Sequence, residues 1–289
     1  MVARLGLTIM WLLRFLPLRI LAPLGEAFGM LLFRFGRERR QVCLANLAHC
    51  FPDMTETGRT ALARRHFKAV GRGVVERGLL WWSSRRRLER LITLKGQEHL
   101  TPAPGAAVIL LAPHFVALDA GWTRLSCIMD MSSIYANQKN PVMNRALLRG
   151  RLRFGAQQLF SRQDGVREAL KALKAGRFLY YLPDLDYGAR NAIFSPFFGV
   201  PAATVTALPR LARLANARVV PCVARLLPGA AGYELRCYPA WNGYPSGDVA
   251  ADTRRMNAFI EDRVRECPEQ YFWTHKRFKT RPQGESSWY

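Results

Sequence analysis

From residue 106 onward the chain alternates short, largely apolar runs with segments of helical period, and that rhythm admits few folds. The apolar runs fall at 106–112, Ser133-Ile134-Tyr135, Gln158-Leu159-Phe160, Phe178 to Leu182, 218–226 and 233–238. Helical period is expected near 117–128 and 141–153. It recurs at Val166, Ala169, Leu170 and Leu173 (closed by Gly176), near 204–215, and at 250–266. Largely apolar strands joined through helices are buried on both faces, so the expected class is α/β with a mainly parallel sheet flanked by helices. A chain of 289 residues with 49% hydrophobic residues supplies enough core for one large domain of this kind.

Upstream, residues 41–94 read as helical, with Thr55 the expected cap of the helix that carries Ala61 to Phe67. Residues 5 to 33 are strongly apolar but carry Arg14, Arg19, Glu26, Pro17 and Pro23. A spanning helix needs about 20 uninterrupted apolar residues, so this segment is a poor spanning candidate. Nothing resembles a small-residue cleavage site. Residues 1–35 are therefore expected to be a retained hydrophobic anchor that lies in or dips into a bilayer, with residues 36–289 forming the main domain. Arg34, Arg37, Arg39 and Arg40 would face a cytoplasmic membrane surface.

The formal net charge is +22, carried by 36 arginines against 7 lysines. A solvated basic surface accounts for any single run, such as Arg85-Arg86-Arg87. The excess over the whole chain points to anionic partners: lipid headgroups, nucleic acid or an acidic carrier protein. The six cysteines form no C-x-x-C pair and have no metal-ligand spacing with the five histidines, so reduced, buried thiols and no metal are expected. No G-x-S-x-G, H-E-x-x-H, Walker or dinucleotide-binding pattern is present. No cofactor is expected.

The residues that suggest chemistry cluster at strand ends. The first apolar run stops at His114, and Asp119 follows with four residues between them. On one continuous helix five positions put these side chains roughly 140° apart. They can pair only across a strand-turn-helix junction, which the pattern offers. Such a carboxylate holding one imidazole nitrogen would leave the other free as a base for a hydroxyl. Arg145, Arg149, Arg151 and Arg153 follow Asn140-Pro141 on one short helix and its exit. Arg149 and Arg153 at i, i+4 would repel unless an anion compensates. Asp184 and Asp186 end the strand at Tyr181-Leu182, where they would orient an arginine, contact a headgroup or cap a turn.

Taken in order, these stretches resemble the late, or secondary, lipid A biosynthesis acyltransferases, which are related to glycerolipid acyltransferases with an H-x4-D/E motif. The likeness runs through Asn46-Leu47, Cys50 to Asp53, Arg64 to Phe67 and His114-x4-Asp119-Ala120-Gly121. It continues in Asn140-Pro141, Gly150 to Arg153, Pro183 to Gly188, Pro196 to Val200 with Ala202 to Thr204, and most closely Pro268 to Pro282. The resemblance implies transfer of a fatty acyl chain from acyl-acyl carrier protein to a hydroxyl of a lipid A precursor at the cytoplasmic face of an inner membrane. It makes 36–289 the acyltransferase domain, His114 the general base and Asp119 its orienting partner. By the same likeness Arg151 contacts the donor thioester or a phosphate, with Arg153, Asp184 and Asp186 in substrate binding. It implies no cofactor, no metal and no nucleic-acid partner.

Two positions depart from the family pattern. Glutamate is frequent where this chain has Asp119, and Tyr-Arg-Pro where it has Tyr135-Ala136-Asn137. A lysophospholipid or glycolipid acyltransferase, and a non-catalytic binder of anionic membrane or nucleic acid, stay open as alternatives on the residues alone.

Overall fold

The computed structural model describes residues 1–101, 106–162 and 165–289. Six helices come first: α1 (Val2–Leu13), α2 (Leu18–Phe35), α3 (Arg37–Cys50), α4 (Glu56–Val75), α5 (Arg77–Trp82) and α6 (Arg85–Leu91). Then β1 (Ile92–Lys95) and β2 (Val108–Leu111) open the alternating part, followed by α7 (Leu118–Ser126) and β3 (Met131–Tyr135). It continues with α8 (Pro141–Arg151), β4 (Gln158–Ser161), α9 (Gly165–Lys174) and β5 (Phe178–Tyr181). A hairpin, β6 (Ala192–Phe197) and β7 (Val200–Val205), leads to α10 (Ala207–Ala215), β8 (Arg218–Leu226), β9 (Tyr233–Cys237) and α11 (Val249–Glu266).

Among the described residues seven strands form one sheet in the order β1-β9-β8-β2-β5-β3-β4, parallel throughout except for β8 against β9. The alternation of side chains along β2 explains its unbroken apolarity. Ile109 and Leu111 enter one core layer with Leu173, Leu179 and Leu211, while Val108 and Leu110 enter the other with Ala120, Trp122 and Tyr180. The expected mainly parallel α/β sheet is the observed one. Two strand elements escape the sequence pattern. The four residues of β1 continue what reads as helical sequence, and the β6–β7 hairpin pairs outside the main sheet.

Residues 1–35 make two helices rather than one, because Arg14 to Pro17 break the run and Pro17 caps α2. No helix among the described residues is long and apolar enough to cross a membrane. Nor is α2 a detached appendage. It crosses α4 so closely that a Cβ on Gly71 would lie 2.2 Å from the Gly25 carbonyl oxygen and 2.4 Å from the Gly29 nitrogen. Leu18, Leu21, Ala22, Gly25 and Gly29 are buried on that face, whereas Ile20, Leu24, Phe28, Leu31 and Phe35 stay exposed. At the start of α4, Thr55 accepts from the Gly58 N–H, so the expected cap is present.

The crossing admits no side chain at its centre. Gly71→Val is expected to force α2 off α4 and to cost about 1–3 kcal/mol or more. The urea midpoint reads this, and a midpoint equal to wild type would refute the tight crossing.

Candidate active site

Strands β2 and β5 are hydrogen-bonded neighbours in parallel register, with Leu111 beside Tyr181. Three residues further along each chain stand His114 and Asp184, so the register itself delivers them side by side at the carboxyl edge of the sheet. Asp184 accepts from His114 twice: its Oδ1 takes the imidazole Nδ1–H at 2.7 Å and its Oδ2 the main-chain N–H at 2.9 Å. Asp184 is completely buried. Burial alone pushes its carboxyl up, yet His114 beside it and these hydrogen bonds hold it below the ordinary carboxylate value. An ionised carboxylate only accepts, so Nδ1 carries the proton. In the neutral ring Nε2 is then the basic nitrogen.

Asp119 is therefore not the hydrogen-bonded partner of His114. It sits in the first turn of α7, where its Oδ1 accepts from Arg151 Nε at 3.0 Å and Nη2 at 2.5 Å. Its Oδ2 lies 3.5 Å from Arg77 Nε. Burial raises the Asp119 carboxyl, and the two guanidiniums more than reverse this. His114 has its imidazole committed to Asp184, just beyond β5, while Asp119 faces the carboxyl end of α8. The end of that helix is held by the Trp122 indole N–H, which donates to the Arg151 carbonyl at 2.9 Å.

The other expected site residues separate. Helix α8 ends at Arg151, so Arg149 and Arg153 are not stacked on one helical face. Arg153 leaves the site altogether: its guanidinium lies over Phe154 and donates to the Ser83 carbonyl at the end of α5. Asp184 lies behind the imidazole with no exposed surface, which excludes the expected direct contact with substrate. Asp186 borders the cavity, but its carboxylate takes the Thr280 N–H at 2.6 Å, the Thr280 hydroxyl at 2.8 Å and the Gly188 N–H at 2.8 Å. Its main-chain N–H donates to His275 Nε2 at 3.2 Å.

His114, Asp119 and Arg151 open onto one cavity of about 1090 Å³ that straddles the carboxyl edge of the sheet. Val70, Val74, Leu118, Trp122 and Leu147 line it from one layer, and Val166, Leu170, Leu211 and Leu214 from the other.

The family of bacterial lipid A biosynthesis acyltransferases matches residues 1–280. The lipid A biosynthesis lauroyltransferase of Escherichia coli (strain K12) is 36% identical over 288 residues, 99% of this chain and 94% of that protein. The palmitoleoyltransferase of the same organism is 32% identical over 98% of this chain and 93% of its own length. The chain belongs to the lipid A biosynthesis acyltransferase family. The solved 1-acyl-sn-glycerophosphate (LPA) acyltransferase of Thermotoga maritima is 14% identical, with a TM-score of 0.39 over 86% of this chain and 98% of that one. That likeness is too distant to argue from.

In this acyltransferase the carboxyl-terminal tail frames the site, a role that its sequence alone does not announce. Val116 N–H donates to the Gln270 carbonyl at 2.8 Å and Phe272 N–H to the His114 carbonyl at 3.0 Å, which clamps the His114 turn from its far side. Asn46 donates to the Trp273 and His275 carbonyls at 2.7 and 2.8 Å, and Trp273 is fully buried. The Arg277 guanidinium, also buried, donates to the Ala203 carbonyl and the Thr204 hydroxyl, each at 2.9 Å. His66 on α4 meets the Glu269 carbonyl at 2.9 Å through Nδ1. Arg77 was equally hidden, because only folding sets it against Asp119.

Two predictions follow from these contacts. Arg151→Ala leaves Asp119, whose side chain is 12% exposed, with Arg77 alone. The loss is expected to be about 2 kcal/mol in denaturant unfolding, with the Arg151→Ala/Asp119→Ala double variant recovering part of it; strictly additive losses would deny the coupling. Burial holds His66 at about 4, against the ordinary 6.5. The unfolded chain then binds the extra proton between those values, so stability is full above pH 6.5 and falls as pH drops toward 4. His66→Gln is expected to flatten that part of the pH profile of the urea midpoint, and an equally steep profile in the variant would contradict it.

Proposed function

We propose that this chain transfers a fatty acyl group from acyl-acyl carrier protein to a hydroxyl of a lipid A precursor, with His114 as general base and Asp184 as the residue that orients it. The observation that carries the reading is the pair of hydrogen bonds that His114 donates to Asp184, which commits Nδ1 and presents a basic Nε2 to the cavity. His114 Nε2 takes the proton of the acceptor hydroxyl as its oxygen attacks the thioester carbonyl. The tetrahedral intermediate collapses by breaking the carbon–sulfur bond, and the imidazolium returns the proton to the departing thiolate. No nucleophile of the protein is required, so donor and acceptor are held together rather than acting in turn.

Arg151 has a role beside this step. Its Nε and Nη2 are taken by Asp119, and Nη1 has no protein partner among the described residues. That nitrogen is the donor available to the carbonyl oxygen as it becomes an oxyanion. Asp119 acts through Arg151 and Arg77 by holding both guanidiniums against the cavity wall. The apolar lining of the α7 and α8 layer suits the acyl chain of the donor.

The amino-terminal helices supply the route to a lipid substrate. Leu5, Ile9, Trp11, Leu12 and Phe15 are exposed on α1 and the turn after it, continuous in sequence with the exposed face of α2. This apolar surface, flanked by Arg4, Arg19 and Arg34, fits shallow insertion into the cytoplasmic leaflet of the inner membrane rather than a span.

His114→Ala is expected to lower turnover by about 10²–10⁴-fold. Asp184→Asn, which loses the charge but keeps the shape, should fall in the same direction by a smaller factor. Product mass spectrometry with acyl carrier protein thioester and a lipid A precursor measures both, and wild-type turnover by His114→Ala would refute the assignment.

A further inference from the structure

We propose that Arg162, Arg167, Arg190 and Arg210 form a phosphate-binding wall that holds an anionic group of the acceptor beside the acyl-transfer site. The inference rests on the acyl-transfer reading above and extends it to how the acceptor is held.

The cavity has two chemically different walls. On the α7 and α8 side the two bordering guanidiniums, Arg77 and Arg151, share one carboxylate, Asp119. On the other side Arg162 follows β4, Arg167 stands on α9, Arg190 follows β5 and Arg210 stands on α10, a helix that packs on α9. All four are exposed. None lies within 4.0 Å of a carboxylate among the described residues, and none has a protein hydrogen bond there. Arg162 instead rests over the Tyr187 ring at 4.1 Å.

The described carboxylates that border the cavity are Asp119 and Asp186, and both are committed elsewhere. Four guanidiniums around one concave surface, without a carboxylate partner among the described residues, repel one another. The cleft concentrates their field, and their planar forks match the oxygens of a phosphate group.

A phosphate could reach this wall on the acceptor or on the pantetheine arm of the donor. The neighbouring side chains decide for the acceptor. Val166 beside Arg167 is 52% exposed, and Leu214, one helical turn from Arg210, is 58% exposed. Aliphatic side chains held open to solvent among arginines suit an amphiphile that carries a phosphate next to hydrocarbon chains.

The test compares the full-length wild type with Arg167→Gln/Arg210→Gln. Equilibrium binding of a lipid A precursor, before and after phosphatase treatment, is measured without donor, so it reads the wall whether or not transfer occurs. The wild type is expected to bind the phosphorylated form at least roughly tenfold more tightly than the treated one. In the double variant that preference collapses, and Arg167→Lys/Arg210→Lys restores part of it. A variant that keeps the wild-type preference overturns the proposal, as does a variant that loses affinity for acyl carrier protein thioester alone. The acyl-transfer reading fails separately, on absence of acylated product when donor is added to the wild type.

Discussion

The structure turns on the hydrogen-bonded pairing of β2 with β5. Parallel neighbours run in step, so residues at equal distances beyond a paired position emerge together at the same edge. Leu111 pairs with Tyr181, and three residues on His114 meets Asp184. A buried carboxylate needs its charge satisfied, and Asp184 meets that need with the imidazole and the main-chain N–H of the same histidine. The site is therefore a consequence of sheet register, in the place where open α/β sheets gather ligands.

Such a pair must also be held from outside the sheet. The tail supplies this: Gln270 and Phe272 bond on either side of the His114 turn, and Tyr271 bridges to Phe115. The tail is in turn fixed by side chains from distant parts of the chain, Asn46 on α3, His66 on α4 and Asp186 beyond β5. Residues 268–280 belong to the frame of the candidate site although they contain no element longer than a single 3-10 turn. The buried charge of Arg277 shows how fully this segment is incorporated, since such a charge requires the acceptors it finds at Ala203 and Thr204.

The electrostatics divide in the same way as the architecture. On one side of the carboxyl edge Asp119 gathers Arg77 and Arg151 into a compact ionic group. On the other side the arginines of α9, α10 and the adjoining loops have no such counterweight among the described residues. A large positive charge on a protein that handles lipids is thus distributed, part of it bound internally and part turned toward the cavity and the surface.

Much of this was legible in the residues. Buried strands announce themselves because both faces of a parallel sheet are apolar, and the helices between them because one stripe must be. The strand-end position of His114 follows from the same pattern, and the ordered motifs carried the family likeness. The partner of His114 did not follow. Local spacing favours Asp119, but Asp184 lies 70 residues away and reaches His114 only through strand order, which no local pattern encodes. The same holds for Arg153, drawn off to the Ser83 carbonyl once α8 stops at Arg151, and for Arg77 and the tail, whose contacts with the site are long-range. The sequence by itself determined which segments are strands, helices and apolar surfaces, because those depend on the period of neighbouring residues. Only the tertiary structure decided which charges meet, because that depends on the order in which the strands are laid side by side.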